Sequence, residues 1–221
     1  MGTLIAIMTH GDKAANDTLL RHLPMWEALG HDLLVASPSD NPARLPDNHL
    51  EQCHPGKQWH DGLIAMHRQK NLMREMSRRS AYDWHLIAEY DVVFLGDRLP
   101  EFAPGASGLL NPNFDLRRFK SPWAMGPPWV MDRDSLKRIL AYADAHPETI
   151  EEGCIDRFLP AWAMGAGVPV LPLPKSGLFL NDITPADYPR MVQICKSGGC
   201  FYHGIKTEEC LNVLLKAWKS Q

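Results

Sequence analysis

The feature that most limits this fold is a regular alternation of short apolar runs and helical stripes through the first half of the chain. Thr3 to Thr9 is an apolar run that breaks into Thr9-His10-Gly11-Asp12. Leu19, Leu20, Leu23, Trp26 and Leu29 then recur at helical spacing, with Asn16 and Asp17 as predicted caps and Gly30 as the stop. Leu33 to Ala36 forms a second strand, closed by Ser37-Pro38-Ser39-Asp40. A Pro- and Asn-rich loop follows to about Gly56, long enough to be a functional excursion. The spacing next predicts a helix over 57–80, with Trp59, Leu63, Met66, Met73 and Met76 inward. Arg68, Lys70, Arg74, Arg78 and Arg79 are placed on its outer, solvated face. A third apolar run ends at Glu89. Strand, helix, strand, helix, strand is the order of crossover connections, which lay strands parallel. The expected fold class is therefore α/β: a mostly parallel central sheet, helices on both faces, and a ligand crevice at the carboxyl edge.

The second half is less regular. Short strands are expected near 107–110 and 129–131, and a helix from Asp132 and Asp134 to about Ala145. Another helix is expected over 154–164, ended by Gly165-Ala166-Gly167. Val168 to Leu173 reads as an edge strand because prolines interrupt it. A polar loop leads to Cys200-Phe201-Tyr202-His203-Gly204 and a terminal helix capped at Thr207. With no repeat and no linker, the chain is expected to be a single domain over 1–221, with a nucleotide-binding half (1–97) and an acceptor or catalytic half (98–221).

Composition narrows the partners. A formal net charge of −3 leaves no basic excess for a phosphate backbone, so no nucleic acid is expected. No apolar stretch approaches the ~20 residues needed to span a bilayer. Met1 to Met8 lacks a basic leader and reads as a strand. Five cysteines without paired spacing are expected to be free thiols in a reducing compartment, which makes the expected location cytoplasmic.

Against that background Glu89 and Asp91 stand out. They interrupt the run from Trp84 to Leu95, where acids are seldom buried unless paired or bound to a metal. Two carboxylates at i and i+2 share one face of a strand and can aim at one ligand. A hard divalent cation, completed by a substrate diphosphate, would give them a purpose. The alternative is a polar strand end carrying two solvated acids.

These residues resemble the GT-A-fold glycosyltransferases, which use nucleotide-diphospho-sugars. Trp84-His85-Leu86-Ile87-Ala88-Glu89-Tyr90-Asp91 looks like that family's strand followed by a DxD triplet, with Glu in place of the first Asp. Trp129 to Leu136, followed by Gly153-Cys154-Ile155-Asp156-Arg157, is similar to its strand-then-helix after the acceptor region. His203-Gly204-Ile205-Lys206 is similar to its late H-x-x-K. The resemblance spans about Thr3 to Lys206.

It implies transfer of a sugar, from a UDP-sugar by expectation, to an unknown acceptor such as a saccharide or lipid-linked glycan. Glu89, Asp91 and His203 would hold Mn²⁺ or Mg²⁺, and Lys206 would meet the diphosphate. Thr9, His10 and Gly11 would lie at the nucleoside, although a plain βα turn accounts for them equally. Lys70, Asn71 and Arg74 resemble donor-reaching positions, and a solvated basic helix face is the competing reading. Asp156 would deprotonate the acceptor hydroxyl in an inverting reaction, or merely complement its helix dipole. Trp123, Trp129 and Trp162 could stack on a sugar or fill the core. No xED-type signature marks a catalytic base. Two rivals remain: an inert nucleotide-sugar-binding module, and a sugar nucleotidyltransferase. The latter would carry a Gly-rich loop after the first strand, where Thr9-His10-Gly11-Asp12-Lys13 has one glycine.

Overall fold

Strand β1 (Thr3–Met8) is buried along its whole length and lies between parallel neighbours β2 (Asp32–Pro38) and β4 (Trp84–Glu89). A parallel strand covered on both faces has no polar side, so it must be apolar throughout. The structure is a computed structural model describing residues 2–9, 12–38, 49–52, 62–100, 108–111, 127–147, 155–173, 183–205 and 207–221.

The remaining strands are β3 (His49–Gln52), β5 (Val92–Leu95), β6 (Leu109–Asn111), β7 (Trp129–Asp132), β8 (Val170–Pro172) and β9 (Cys200–His203). Among the described residues, seven strands form one sheet in the order β3-β2-β1-β4-β7-β6-β8. Among these, β7 runs against both of its neighbours and the other pairings are parallel. The mostly parallel α/β sheet is as expected, and β8 occupies the edge that its prolines require. Strand β3 corrects the reading of its segment as pure loop. Its four residues carry no apolar run, and pairing with β2 defines it as a strand.

Alternation along β1 divides the core between two helical layers. Leu4, Ala6 and Met8 pack with α2 (Gly62–Arg78), α3 (Arg133–Ala145) and α4 (Ile155–Gly165). Ile5 and Ile7 turn to the other face, against Leu19, Leu23 and Trp26 of α1 (Lys13–Glu27). A third cluster joins the ribbon of β5 and β9 to α5 (Tyr188–Lys196) and α6 (Glu208–Trp218). Helix α5 and the 3-10 turn before it (Pro185–Asp187) lie where a polar loop was expected. At nine residues α5 is short, with Met191 and Cys195 buried, and so leaves a faint periodic signal.

Two local expectations change. Helix α1 is capped by Asp12, whose carboxylate accepts the Ala15 amide, so Asn16 and Asp17 lie inside the helix. Asn16 is buried and ties α1 to the end of β1 by accepting the Thr9 hydroxyl at 2.7 Å. The basic face of α2 is not wholly outward, because Arg68 and Lys70 are buried. Lys70 Nζ donates to the Ala143 carbonyl at 2.8 Å and pairs with Asp144 at 2.9 Å, beside Arg74 at 2.6 Å. A lysine stem can lie along apolar surface while its head reaches the negative end of α3. Partial burial opposes ionisation of Asp144, yet Lys70 and Arg74 outweigh it and hold the carboxyl below its ordinary range.

Other boundaries follow the sequence closely. Asp132 caps α3 through the Asp134 and Ser135 amides, both at 3.0 Å, and Thr207 caps α6. Gly30 stops α1 in a left-handed conformation at φ 70°. Among the described residues, no helix is long and apolar enough to cross a membrane.

Candidate metal centre

The parallel register of β1 and β4 sets Glu89 beside Met8, at the carboxyl edge of the sheet and next to Thr9. Strand β4 ends there, and Tyr90 and Asp91 form a turn into the buried strand β5. The antiparallel pairing of β5 with β9 sets Val92 opposite His203. The Ile205 amide donates to the Asp91 carbonyl at 3.2 Å, which closes the ribbon beyond β9. Residues distant in sequence thus meet. One donor atom from each of Glu89, Asp91 and His203 lies within 4.8 Å of the others, and His203 Nε2 is 3.5 Å from Asp91 Oδ1.

The route to this convergence differs from strand alternation. The chain turns between the two acids, so the turn and the β5–β9 ribbon bring them together, with no shared strand face. Asp91 is 8% exposed, while Glu89 and His203 are half-buried. Carboxylates crowded together with little water are costly unless positive charge neutralises them. Two carboxylates and one imidazole nitrogen, all able to aim at one point, form an oxygen-rich donor set that fits a Mn²⁺ or Mg²⁺ ion. Between the acids, burial pushes the Tyr90 hydroxyl up to about 12, with Asp91 and Glu89 adding to the effect.

The Tyr90 carbonyl is held from α1. His22 Nε2 donates to it at 2.6 Å, and His22 is fully buried. No motif in the sequence marks His22. Its signal was a histidine set within the apolar stripe of Leu19, Leu23 and Trp26, which places an imidazole inside the core.

The other candidate residues have different settings. Thr9 directly follows β1, is 1% exposed and directs its hydroxyl to Asn16. Asn71 accepts from Arg74 at 3.0 Å, within the polar group that joins α2 to Asp144. Asp156 falls in the first turn of α4, and its side chain lies outside the described residues. His10, Gly11, Lys206 and Trp123 also lie outside them. Trp129 and Trp162, at 0% and 1% exposure, are core residues and not sugar platforms.

No family model and no curated protein matches the chain. Among solved structures it is similar to a glycosyltransferase involved in the glycosylation of the major capsid of PBCV-1. That superposition has a TM-score of 0.54 at 10% identity and covers 99% of this chain and 100% of the other. A Drosophila β-1,4-galactosyltransferase 7 mutant, in complex with manganese, UDP-Gal and xylobiose, gives a TM-score of 0.48 at 13% identity over 79% of this chain and 66% of that one. Identities this low speak to architecture. The chain has the mixed α/β, single-domain fold of a glycosyltransferase structure along essentially its whole length, consistent with the GT-A type.

Proposed function

We propose that the protein is a metal-dependent glycosyltransferase that moves a sugar from a nucleotide-diphospho-sugar, a UDP-sugar by preference, to a saccharide or lipid-linked acceptor. The observation that carries this reading is the convergence of Glu89, Asp91 and His203 at the carboxyl edge of the sheet. Two acids and an imidazole, with one donor atom from each within 4.8 Å of the others, form a set that would hold a divalent cation.

In this reading Glu89 and Asp91 supply anionic oxygens from either side of the Tyr90 turn, and His203 closes the set from β9. A divalent ion bound there supplies positive charge for the departing nucleoside diphosphate. Thr9, His10 and Gly11 adjoin the nucleoside, and Asn71 serves the donor side. Lys206 meets the diphosphate as a point charge. Asp156, in the first turn of α4, takes the proton from the acceptor hydroxyl if configuration inverts. The roles of these six residues rest on the sequence resemblance.

The test is thermal unfolding with UDP or GDP, each with and without Mn²⁺. A nucleoside diphosphate is expected to raise the midpoint substantially only when Mn²⁺ is present, and Asp91→Asn is expected to remove that increment. Stabilisation should follow ligand mass action, about 2.7 kcal/mol at a hundredfold excess over Kd. If no nucleoside diphosphate gives a metal-dependent shift in the wild type, the proposal is refuted.

A further inference from the structure

We infer that His22 is a positioning residue for this same site, setting the spacing of Glu89 and Asp91 through the peptide that joins them. The inference rests on the proposed metal centre and adds a residue that makes no contact with the ion.

The segment from Glu89 to Asp91 is restrained at each of its residues. Glu89 is held by the β1–β4 register, and the Asp91 carbonyl is held by the Ile205 amide at 3.2 Å. Between them the Tyr90 carbonyl receives the His22 imidazole at 2.6 Å, across a helix-to-turn contact of 68 residues in sequence. A carbonyl can only accept, so this bond requires the proton on Nε2. Burial pulls the ring down to about 4, well below its ordinary value, and the Tyr90 bond only partly opposes that. The imidazole is therefore neutral at physiological pH and acts as a fixed donor.

The packing leaves the ring little freedom. His22 sits in α1 between Leu19 and Trp26, which pack on the sheet face beneath β4 and β5, with Tyr90 against the same cluster. A turn clamped at its middle carbonyl cannot rotate that peptide, and rotation there would swing the Asp91 side chain relative to Glu89. Residues that orient ligands without touching the metal affect affinity by roughly tenfold to a hundredfold when removed.

The experiment is a Mn²⁺ titration of the full chain, with free Mn²⁺ followed by electron paramagnetic resonance, alongside thermal unfolding without metal. His22→Leu removes the donor at similar volume. His22→Gln returns an amide N–H near the Nε2 position, and His22→Asn offers one too short to reach Tyr90. Leu136→Ala, in the opposite core layer, supplies a destabilised control. The expected result is Mn²⁺ affinity about tenfold or more weaker in His22→Leu and His22→Asn. His22→Gln should return near wild type, and Leu136→Ala should bind normally despite its lower midpoint. Equal affinity in a folded His22→Leu overturns the inference, as does His22→Gln no better than His22→Asn, a comparison that stands even if the leucine variant fails to fold. A wild type that takes up no Mn²⁺ overturns the proposed function and this inference together.

Discussion

Acidification should destabilise this protein through His85, and the size of the effect follows from where that residue sits. His85 lies in the middle strand pair, 1% exposed, facing Met131 across the β4–β7 ladder. Burial pulls its imidazole from 6.5 down to about 4, and the Met76 backbone opposes this only in part. Of the charges that face it, Arg133 lowers it further while Asp132 and Asp83 raise it. The folded state therefore releases its proton more readily than the unfolded chain. Between the two values the unfolded state binds more protons, so stability falls as pH drops. The contribution is complete above the unfolded value of 6.5 and is exhausted below about 4. At ~1.4 kcal/mol per pH unit, a move from pH 7 to pH 5 should cost about 2 kcal/mol at this residue. That is a large part of the ~5–15 kcal/mol typical of a domain. The assay is urea unfolding at intervals from pH 7 to pH 5, for wild type and His85→Leu. The variant should lose about 2 kcal/mol less than wild type over that range. Parallel pH curves for the two proteins would refute the argument.

Two further perturbations test the packing of the fold. Gly199→Ala should lower stability by about 1–3 kcal/mol in chemical denaturation, because φ is 84° and a methyl there meets the Leu95 carbonyl and Gly96. Its effect should fall on the β5–β9 ribbon, visible as faster amide exchange at Phe94 and Phe201. Asp132→Ala should cost about 1–2 kcal/mol, since it removes the α3 cap and the acceptor for the Gly108 amide at 3.0 Å. Thermal midpoints measure that loss, and an unchanged midpoint would refute the capping role.

The sheet was legible where the chain left no choice. Strands β1 and β4 are buried on both faces, so apolar runs such as Leu4-Ile5-Ala6-Ile7 marked them directly. Strand β3 and helix α5 were not legible, because each owes its form to a neighbour more than to its own pattern. The three residues of the candidate site could be named from the sequence, yet the way they meet could not. Convergence depends on the turn at Tyr90 and on the pairing of Val92 with His203, and pairing over that separation leaves no local trace. Lys70 misled for a related reason. A charged residue on a helix reads as solvated until a neighbouring helix end, here Ala143 and Asp144, is known to face it.

The ribbon of β5 and β9 is a separate sheet from the seven-stranded one, and it carries His203 while the larger sheet carries Glu89. The donor set is therefore split across a seam between two hydrogen-bonded frameworks. A collapsed chain with its large sheet complete but β9 undocked would own the acids without the imidazole. In the proposed metal centre, cation affinity would therefore report assembly across that seam, and a bound cation would act as a rivet drawing the late segment onto the early one.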